Sequence, residues 1–406
     1  MFSNFFKRAK EIIPSNYSIA SIFSPVSGLS QNVNDTTAMK FTTVYSCVKI
    51  LSESVATLPL NLYQEKGTKR EKLDNKLTKL LARPNAFTTE FDFKSSIMID
   101  LGLRGNSYWQ IVRNGLGEVK SLYQLNANSI SAKIRPNGDI VYSYISESLG
   151  EVLLESNEIL HFKMMSIDGI NGISPITYNQ MAIATGMSQL EYVDKFYANG
   201  ANSNVVLSHP AILNDEAYER LKSSFKNQYV GVKNTNKPIL LEDGMKIEKL
   251  SVSNTDSQFI ENRIFTKNEI ASIYRIAPHM INEMSKATFS NIEHQSLEFV
   301  KYTLMPYLVM MESELNEKLI LSNRQYFKYD TNALVRGDIK TRYEAYQLAI
   351  TNGFLSRNEV RKMEDLDSIE GLDEMLTPMN MSQVTQGGQD VAGKTLTPDP
   401  VVPASK

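Results

Sequence analysis

Histidine is the side chain best suited to acid–base chemistry near neutral pH. The few histidines of this sequence lie far apart. They are His161, His209, His279 and His294. His161 ends a predicted strand, and Asp168 follows it in a glycine-containing turn. A hydrolase that uses this pair is therefore one functional hypothesis. We favour a packed, hydrogen-bonded structural role for His161, because no other catalytic group in the sequence supports the pair.

Other segments that resemble reactive or ligand-binding sites also have simpler interpretations. The turn over 168–172 could bind a cation, but it lacks the spacing and the final glutamate of a calcium loop. The lone Cys47 falls on the apolar face of a predicted helix, which favours a buried, unreactive thiol. The sequence contains no phosphate-binding, dinucleotide-binding, hydrolase-elbow or zinc-protease motif. We therefore predict no catalytic residue, cofactor site or metal site, and no enzymatic activity.

The composition indicates a folded protein without strong affinity for nucleic acid. The chain has 406 residues, enough for one large domain or two to three smaller ones. It carries 43 basic and 45 acidic residues, a net charge of −2, which excludes a chain built mainly to hold phosphates. Hydrophobic residues make up 42% and charged residues 22%, as in ordinary globular proteins. A single cysteine excludes an internal disulfide and fits a reducing compartment.

The beginning of the sequence could form a short basic amphipathic helix. Its apolar side would carry Phe2, Phe5, Phe6, Ala9, Ile12 and Ile13. We expect an arm that packs on its own or a neighbouring subunit, and a peripheral membrane scaffold is a further hypothesis. No stretch of the sequence is long and apolar enough to cross a bilayer.

The first 165 or so residues show the patterns of an α+β block. Apolar residues at helical spacing predict a helix over about 43–58. Alternating residues on both sides of 115–117 and 136–138 predict two hairpins. Tyr108 and Trp109 alternate on one of these strands, so we expect one of the two rings in the core rather than on a stacking platform.

Two long helices with a small α/β module between them come next. Ser174 as N-cap and Pro175 at the first helical position predict a helix of about 24 residues. A second long helix is predicted over about 256–277. The module between them covers about 200–252. This order of elements suggests an elongated molecule with a helical shaft and not a compact enzyme.

The last part of the chain is predicted to be mostly helical. The patterns indicate a polar loop over 280–291, a helix over 293–321, a strand over 326–329, two helices over 339–352 and 356–364, and a disordered tail from 377. Pro306 should kink the longest helix, because proline removes a backbone donor and crowds the preceding turn.

Seven short motifs occur in order along the chain. They lie at 44–48 with 56–60, at 80–85 (LLARPN), at 103–108 (LRGNSY), at 161–162 with 168–176 (DGINGISPI), at 290–293 with 295, at 304–306, and at 352–353 with 358–361. Through these motifs the sequence resembles the portal proteins of tailed bacteriophages, in the HK97-like family. The resemblance covers about 35–370, and the segment at 168–176 is its most specific part.

The resemblance implies an α+β portal fold and a role in a ring, normally of twelve subunits, at one vertex of a capsid. Double-stranded DNA would pass through the ring during genome packaging and ejection. The implied partners are further copies of the chain, the terminase large subunit, the major capsid or scaffold protein and a head-completion protein, with no membrane. The protein would belong to the virion, and to the cytoplasm of the host bacterium during assembly.

The resemblance also implies a division of the chain into named parts. They are a flexible N-terminal arm (1–34), a first part of the wing (35–173), a stem helix (174–199), a small α/β clip (200–255), a second stem helix (256–279), a tunnel loop (280–292), the rest of the wing with its kinked long helix and strand (293–338), an α-helical crown (339–376) and a disordered tail (377–406).

The implied tunnel loop supplies the candidate residues for contact with DNA. They are Asn282, Ser285, Lys286 and Thr288. We hypothesise that Lys286, with Lys301 as a further candidate, makes weak contacts to phosphates that are independent of DNA sequence. The alternative is a solvent-exposed lysine without consequence. A near-neutral subunit suits a channel in which DNA slides, because every neutralised phosphate adds affinity.

Overall fold

The computed structural model describes residues 32–67, 69–198, 205–208, 214–229, 245–249, 255–282, 295, 297–331, 339–364 and 366–376. The chain divides into two compact units, Met1–Thr331 and Asn332–Lys406, and each is described by itself. The predicted C-terminal tail, residues 1–31 of the predicted arm and most of the predicted tunnel loop lie outside the described residues.

The first unit mixes helices and strands. Its helices are α1 (Asp35–Ala38), α2 (Thr42–Ala56), α3 (Lys76–Ala82), α4 (Glu90–Arg104), α5 (Pro175–Tyr178), α6 (Gln180–Ala198), α7 (Asp215–Tyr229), α8 (Thr255–Ile273) and α9 (Met305–Leu319). Its strands are β1 (Leu60–Lys66), β2 (Lys69–Leu73), β3 (Asn106–Arg113), β4 (Val119–Leu125), β5 (Ile130–Ile134), β6 (Ile140–Ser146), β7 (Gly150–Glu155), β8 (Ile159–Lys163), β9 (Val205–Ser208), β10 (Lys246–Lys249) and β11 (Gln325–Tyr329). The described part of the second unit holds α10 (Ile339–Thr351) and α11 (Arg357–Met363).

The strands form small antiparallel sheets. Their orders are β11-β1-β2, β4-β3-β8, β5-β6-β7 and β10-β9. Both predicted hairpins are confirmed, since β3 pairs with β4 and β5 pairs with β6. The pairing of β1 with β11, with Leu62 opposite Phe327, joins segments far apart in the sequence.

The main core of the first unit lies between α2, α4 and the β4-β3-β8 sheet. The apolar face of α2, including Cys47 and Leu51, is fully buried, and burial raises the pKa of the Cys47 thiol to about 12. Gly102 lets α4 approach α2, because a Cβ there would lie 3.3 Å from Val48. Trp109 packs edge-on against a phenylalanine in this core, whereas Tyr108 is buried in a second, smaller cluster. Both rings are therefore core, not one of them.

Two of the predicted long helices have different ends in the structure. The first is divided into α5 and α6, because Asn179 leaves helical geometry between them. The second, α8, ends at Ile273, before the predicted Ala277. The reason is Arg275, which takes the left-handed conformation (φ 53°) while the Ile276 N–H bonds to the Ala271 carbonyl.

The long helix around Pro306 also differs from a simple kinked α-helix. A π-helix spans Phe299–Leu304, and α9 follows it. Pro306 cannot donate to the Tyr302 carbonyl, and the Met305 N–H bonds five residues back to Val300. The backbone irregularity that proline predicts is thus a π turn just before it. In the second unit the predicted capping box of Ser356 and Glu359 is confirmed at the start of α11.

Candidate functional site

The most specific sequence motifs meet at one place in the first unit, which we call the junction cluster. Its members come from the end of α4, the start of β3, the strand β8 and the loop before α5. They are Gly105, Asn106, His161, Asp168, Gly172 and Ser174. The cluster therefore joins the first α+β block to the helix that leaves it.

Asn106 is the centre of the junction cluster. Its side-chain Nδ2 donates to the carbonyls of Gly172 (2.8 Å) and Arg104 (3.2 Å). Its Oδ1 accepts from the Gly172 N–H (2.6 Å) and lies 3.0 Å from His161 Nε2. Both donors and both acceptor positions of one amide are thus in use, so a single side chain links the loop before α5 to two strands of the sheet.

Two glycines bring the backbone segments of the junction cluster into direct contact. A Cβ on Gly105 would lie 2.1 Å from the Ile173 carbonyl oxygen, and a Cβ on Gly172 would lie 2.1 Å from the Gly105 carbonyl oxygen. Gly105 also has φ 73°, as the left-handed residue that ends α4. Neither position can hold a side chain unless the backbone moves.

Asp168 holds the loop before α5 in shape. Its carboxylate accepts from the backbone N–H groups of Ile170 (2.8 Å) and Asn171 (2.7 Å) and from Ser166 Oγ (2.9 Å). Partial burial alone would raise the pKa of this carboxyl, but the hydrogen bonds, led by those from Asn171, hold it below its usual value. Because protein donors occupy the carboxylate, Asp168 stabilises the conformation of the loop and does not serve as a cation ligand.

Ser174 connects the loop to two helices at once. As predicted, it is the N-cap of α5, and its Oγ accepts from the Thr177 N–H (3.1 Å). The same hydroxyl donates to the Leu103 carbonyl (2.7 Å) in the last turn of α4. Pro175 occupies the first helical position, also as predicted. Ser174 therefore fixes the direction in which α5, followed by α6, leaves the sheet.

His161 has a structural role in the junction cluster and does not act as an acid–base group. Its ring is buried, stacks on Tyr108 at 4.3 Å, and has Nδ1 3.1 Å from the Tyr142 hydroxyl. Asn106 Oδ1 can only accept, so Nε2 carries the proton and Nδ1 accepts from Tyr142. Burial, followed by the charge of Lys163, lowers the pKa of His161 to about 3. The hydrolase hypothesis for His161 and Asp168 therefore lacks support, since this histidine is neutral and the carboxylate is engaged in its own loop.

The helices α6 and α8 pack against each other beyond the junction cluster. Gly186 allows this, because a Cβ there would lie 2.8 Å from the Phe41 ring and 3.1 Å from the Thr266 methyl group. Gln189 Nε2 donates to Thr266 Oγ1 across the pair (3.3 Å). These two helices occupy the positions in the sequence where the stem was predicted.

Of the four predicted tunnel residues, the structure describes only Asn282. Asn282 is exposed and adopts the left-handed conformation (φ 59°) at the end of a short 3-10 helix, Pro278–Ile281. Ser285, Lys286 and Thr288 lie outside the described residues. Lys301 is exposed in the π-helix, with its Nζ 5.0 Å from the centre of the Tyr302 ring.

Sequence reasoning missed the role of α9 in holding the sheets. Glu312 Oε1 accepts from the Tyr329 N–H (2.7 Å) on the edge strand β11, and Glu314 Oε1 accepts from the His161 N–H (2.8 Å) on the edge strand β8. Burial raises the pKa of both carboxyls. One helix thus covers the edges of two sheets. Acidic residues on a helix ordinarily indicate a solvated face, so the sequence carried no signal of this.

Neither a metal site nor a membrane-spanning helix is present within the described ranges. Among those residues, no group of three or more histidine, cysteine, aspartate or glutamate side chains is arranged to hold a metal ion. None of the helices described has the length and apolar character to cross a membrane.

Comparisons with known proteins agree on one family. The family model described as "Phage portal protein" matches residues 42–365. The chain is 29% identical to a probable portal protein of Streptomyces phage phiC31, over 91% of this chain and 84% of that protein. It is 28% identical to the portal protein of Enterobacteria phage HK97, over 88% of this chain and 86% of that protein.

Solved structures support the same fold. The neck of a native gene transfer agent particle, computed with C12 symmetry, matches at a TM-score of 0.57 and 23% identity, over 85% of this chain and 96% of that one. The crystal structure of an HK97 family phage portal protein from Corynebacterium diphtheriae matches at a TM-score of 0.57 and 15% identity, over 76% and 99%. With a family match over most of its length and a portal-like fold, this chain belongs to the phage portal protein family.

Proposed function

We propose that the chain is a subunit of a closed ring, of twelve copies, that forms the conduit for double-stranded DNA at one vertex of a capsid. Membership of the portal family supports the role. The likeness to a particle neck of C12 symmetry, which concerns the fold, is compatible with twelve subunits. A ring built from identical head-to-tail contacts closes when the rotation between copies divides the circle.

The observation that carries the proposal is the junction cluster. A conduit has to keep its shape while DNA moves through it, so the helices that line it need a rigid base. The cluster provides such a base, because Asn106, Gly172 and Ser174 fix the start of α5 and α6 to the sheet by backbone contact and hydrogen bonds. No chemical step is required of these residues. We infer that the protein acts by shape and assembly and is not an enzyme.

The named parts are then assigned as follows. We infer that α5, α6 and α8 form the stem and that β9, α7 and β10 belong to the clip. The wing would comprise the α+β block with α9 and β11, and α10 and α11 would form the crown. The boundaries remain those predicted from the sequence: 35–173 and 293–338 for the wing, 174–199 and 256–279 for the stem, 200–255 for the clip, 280–292 for the tunnel loop and 339–376 for the crown.

The proposed partners follow from the same role. They are other copies of the chain, DNA without sequence preference, the terminase large subunit, the major capsid or scaffold protein, and a head-completion protein. Assembly would take place in the cytoplasm of the host bacterium. A net charge of −2 supports weak binding, which lets DNA slide.

Native mass spectrometry and negative-stain electron microscopy of the purified full-length protein test the ring. We expect a discrete particle with a central hole and twelve times the mass of the 45.8 kDa chain. A monomer that persists at micromolar concentration would contradict the proposal.

The tunnel contact needs a separate experiment in the assembled phage. We expect Lys286→Ala to change the rate of genome packaging or ejection, because a weak phosphate contact is lost at every subunit of the ring. Lys133→Ala, which removes an exposed lysine of the α+β block, is the matched control. Unchanged packaging and ejection with Lys286→Ala would exclude the contact.

A further inference from the structure

Three large apolar side chains are exposed on the outer face of the β5-β6-β7 sheet, at the hairpin that joins β6 to β7. They are Ile145 (65% exposed), Leu149 (77%) and Leu153 (60%), and we call them the outer patch. The opposite face of the sheet is covered, since Tyr142 and Leu154 lie in the smaller core cluster. Single exposed apolar residues are ordinary, but three on one face indicate a surface that binds another apolar segment.

The surroundings of the outer patch are acidic. Residues 130–158, which form this sheet and its turns, carry five acidic and two basic side chains. Both bases are already paired with glutamates of β7, Lys133 with Glu151 (4.0 Å) and Arg135 with Glu155 (2.8 Å). Glu147, in the hairpin turn of the patch, is exposed and forms no ion pair with the described residues. A segment that covers the patch should therefore be apolar on one side and carry an excess of basic residues.

The chain itself carries a segment of that chemistry, residues 2–13. Its apolar residues recur at helical spacing, and they are Phe2, Phe5, Phe6, Ala9, Ile12 and Ile13. The charged residues between them are Lys7, Arg8, Lys10 and Glu11, a net charge of +2. A helix of twelve residues is marginal on its own in water, so it forms when its apolar side is covered. The segment thus requires a surface of the kind that the outer patch offers.

The path of the chain brings this segment close to the outer patch. Asp35, at the start of α1, accepts from Asn128 Nδ2 (3.2 Å). Asn128 lies two residues before β5, whose first residue pairs with Tyr144, the neighbour of Ile145. The strand β7 is two strands away from β5, about 10 Å. A chain of 18 residues, as in 14–31, spans roughly 20–25 Å on average when it makes no contacts. Residues 2–13 can therefore reach the outer patch of their own copy.

We propose that residues 2–13 form an amphipathic helix that lies across the outer patch of the same copy. Its phenylalanines cover the three apolar side chains, and its basic residues face the surrounding acids. The same copy is favoured over a neighbouring one, because the connection through 14–31 makes docking intramolecular, at an effective concentration in the millimolar range. The sheet is favoured over a membrane surface, because the segment joins the fold beside a patch that the described residues leave exposed.

Amide hydrogen exchange, measured by mass spectrometry on the full-length protein, tests the docking. We expect the amides of residues 2–13 to exchange at least about tenfold more slowly than in a synthetic peptide of the same sequence. Leu149→Asp should abolish this difference, because it places a charge in the outer patch. Leu116→Asp, at an exposed leucine (86%) in the turn between β3 and β4, is the matched control and should leave the difference unchanged. Exchange at the peptide rate in the wild type, or equal exchange in the two variants, would overturn the proposal.

Cross-linking identifies the copy on which the segment docks. The one cysteine, Cys47, is buried, so cysteines introduced by Ala9→Cys and Ser148→Cys can be joined selectively with a short bismaleimide. We expect a link within one chain, with the mass of one chain and one linker, and no link when Ala9→Cys is combined with Ser223→Cys in α7. A ladder of covalent oligomers would mean docking on a neighbouring copy and would overturn the proposal.

Two further outcomes separate this proposal from its alternatives. Slow exchange of residues 2–13 that appears only when anionic lipid vesicles are added would mean a membrane surface, and would also overturn the proposal. The contact does not depend on the ring. If the protein forms no ring and the link within one chain still forms, the proposed function falls and this contact is supported. Rings without that link would overturn the contact and leave the conduit in place.

Discussion

The junction cluster and the Asn332–Lys406 unit are opposite solutions to the problem of holding a chain in place. In the junction cluster a single amide, Asn106, uses all its hydrogen-bonding positions, and Gly105 and Gly172 touch through their backbones. In the other unit the described apolar side chains stay at least partly exposed, and the Nε–H of Arg357 has no acceptor among the residues that the structure describes. The first region is held by contacts within one chain, whereas the second, over its described residues, leaves its apolar side chains at least partly exposed.

The largest expected effect is a break in the junction cluster by Gly172→Ala. The added Cβ would lie 2.1 Å from the Gly105 carbonyl oxygen, so the two backbone segments have to separate. We expect the free energy of unfolding to fall by about 3 kcal/mol, the upper end of the usual cost of adding atoms to packed structure. Urea denaturation measures it.

Gly115→Ala is the matched control for this substitution. It lies in a hairpin turn with nothing within 4 Å of the added Cβ, and it should change stability by less than about 1 kcal/mol. If the two variants unfold alike, the junction cluster is not the rigid base that the comparison requires.

Local sequence patterns predict some features of the two regions and not others. The helix α2, both hairpins and the caps at Ser174 and Ser356 were predicted correctly, because each depends on residues within one turn or one hairpin. The motifs of the junction cluster were recognised from family resemblance, but their meeting around Asn106 was not predicted. That contact joins residues over 60 positions apart, and no local spacing reports it.

Helix ends were also predicted only where the signal was local. Pro306 correctly indicated a disturbed helix, although it does not specify a π turn. The predicted end of α8 was wrong by four residues, because Arg275 adopts a left-handed conformation after the helix. A glycine at this position would have indicated that conformation in the sequence. The buried acids of α9 gave no signal, since their partners are backbone groups of distant strands.

The second prediction concerns the pH dependence of the junction cluster. Because the pKa of His161 falls from about 6.5 in the unfolded chain to about 3 when folded, the unfolded state binds more protons between these values. His161 therefore contributes its full stability above about pH 6.5, and this contribution is lost as pH falls. We expect a loss of up to about 1.4 kcal/mol per pH unit between pH 6 and 4.

The comparison of wild type with His161→Gln isolates this term. Carboxylates titrate in both proteins, so the difference between their unfolding free energies, measured from pH 7 to 4, reports the histidine. The difference should shrink toward low pH, since glutamine has no proton to gain. A constant difference would show that His161 is not held neutral, and the junction cluster would then be less closed than its geometry indicates.

A smaller effect is expected in the second unit from Ser356→Ala. The Ser356 hydroxyl accepts from the Glu359 N–H (3.1 Å), and the Glu359 carboxylate accepts from the Ser356 N–H (2.8 Å). Loss of this N-cap should cost about 1 kcal/mol. We expect faster amide hydrogen exchange in α11, with unchanged exchange in α2 and α4. Equal changes in both units would mean that they unfold as one, and the contrast between them would be lost.

The smallest expected effect sharpens the comparison from inside the first unit. Arg275 holds φ at 53°, a conformation that disfavours side chains, while its carbonyl accepts from Thr303 Oγ1 (2.7 Å) beside the π-helix. Arg275→Gly removes the conformational strain and keeps that carbonyl, but it lets the unfolded chain sample more conformations. The net result should be a gain of about 0.5 kcal/mol.

Arg263→Gly, in the exposed middle of the same helix, receives the same change of side chain and should lose about 1 kcal/mol. If urea denaturation shows a gain in unfolding free energy for Arg275→Gly and a loss for Arg263→Gly, the native Arg275 backbone is strained at a cost in stability. That strain lies next to the segment predicted to reach the DNA. A loss at both positions would instead mean that the guanidinium of Arg275, 3.5 Å from the Tyr302 carbonyl, supports the π turn more than its backbone strains it. The contacts of the first unit around Arg275 would then be as favourable as those in the junction cluster.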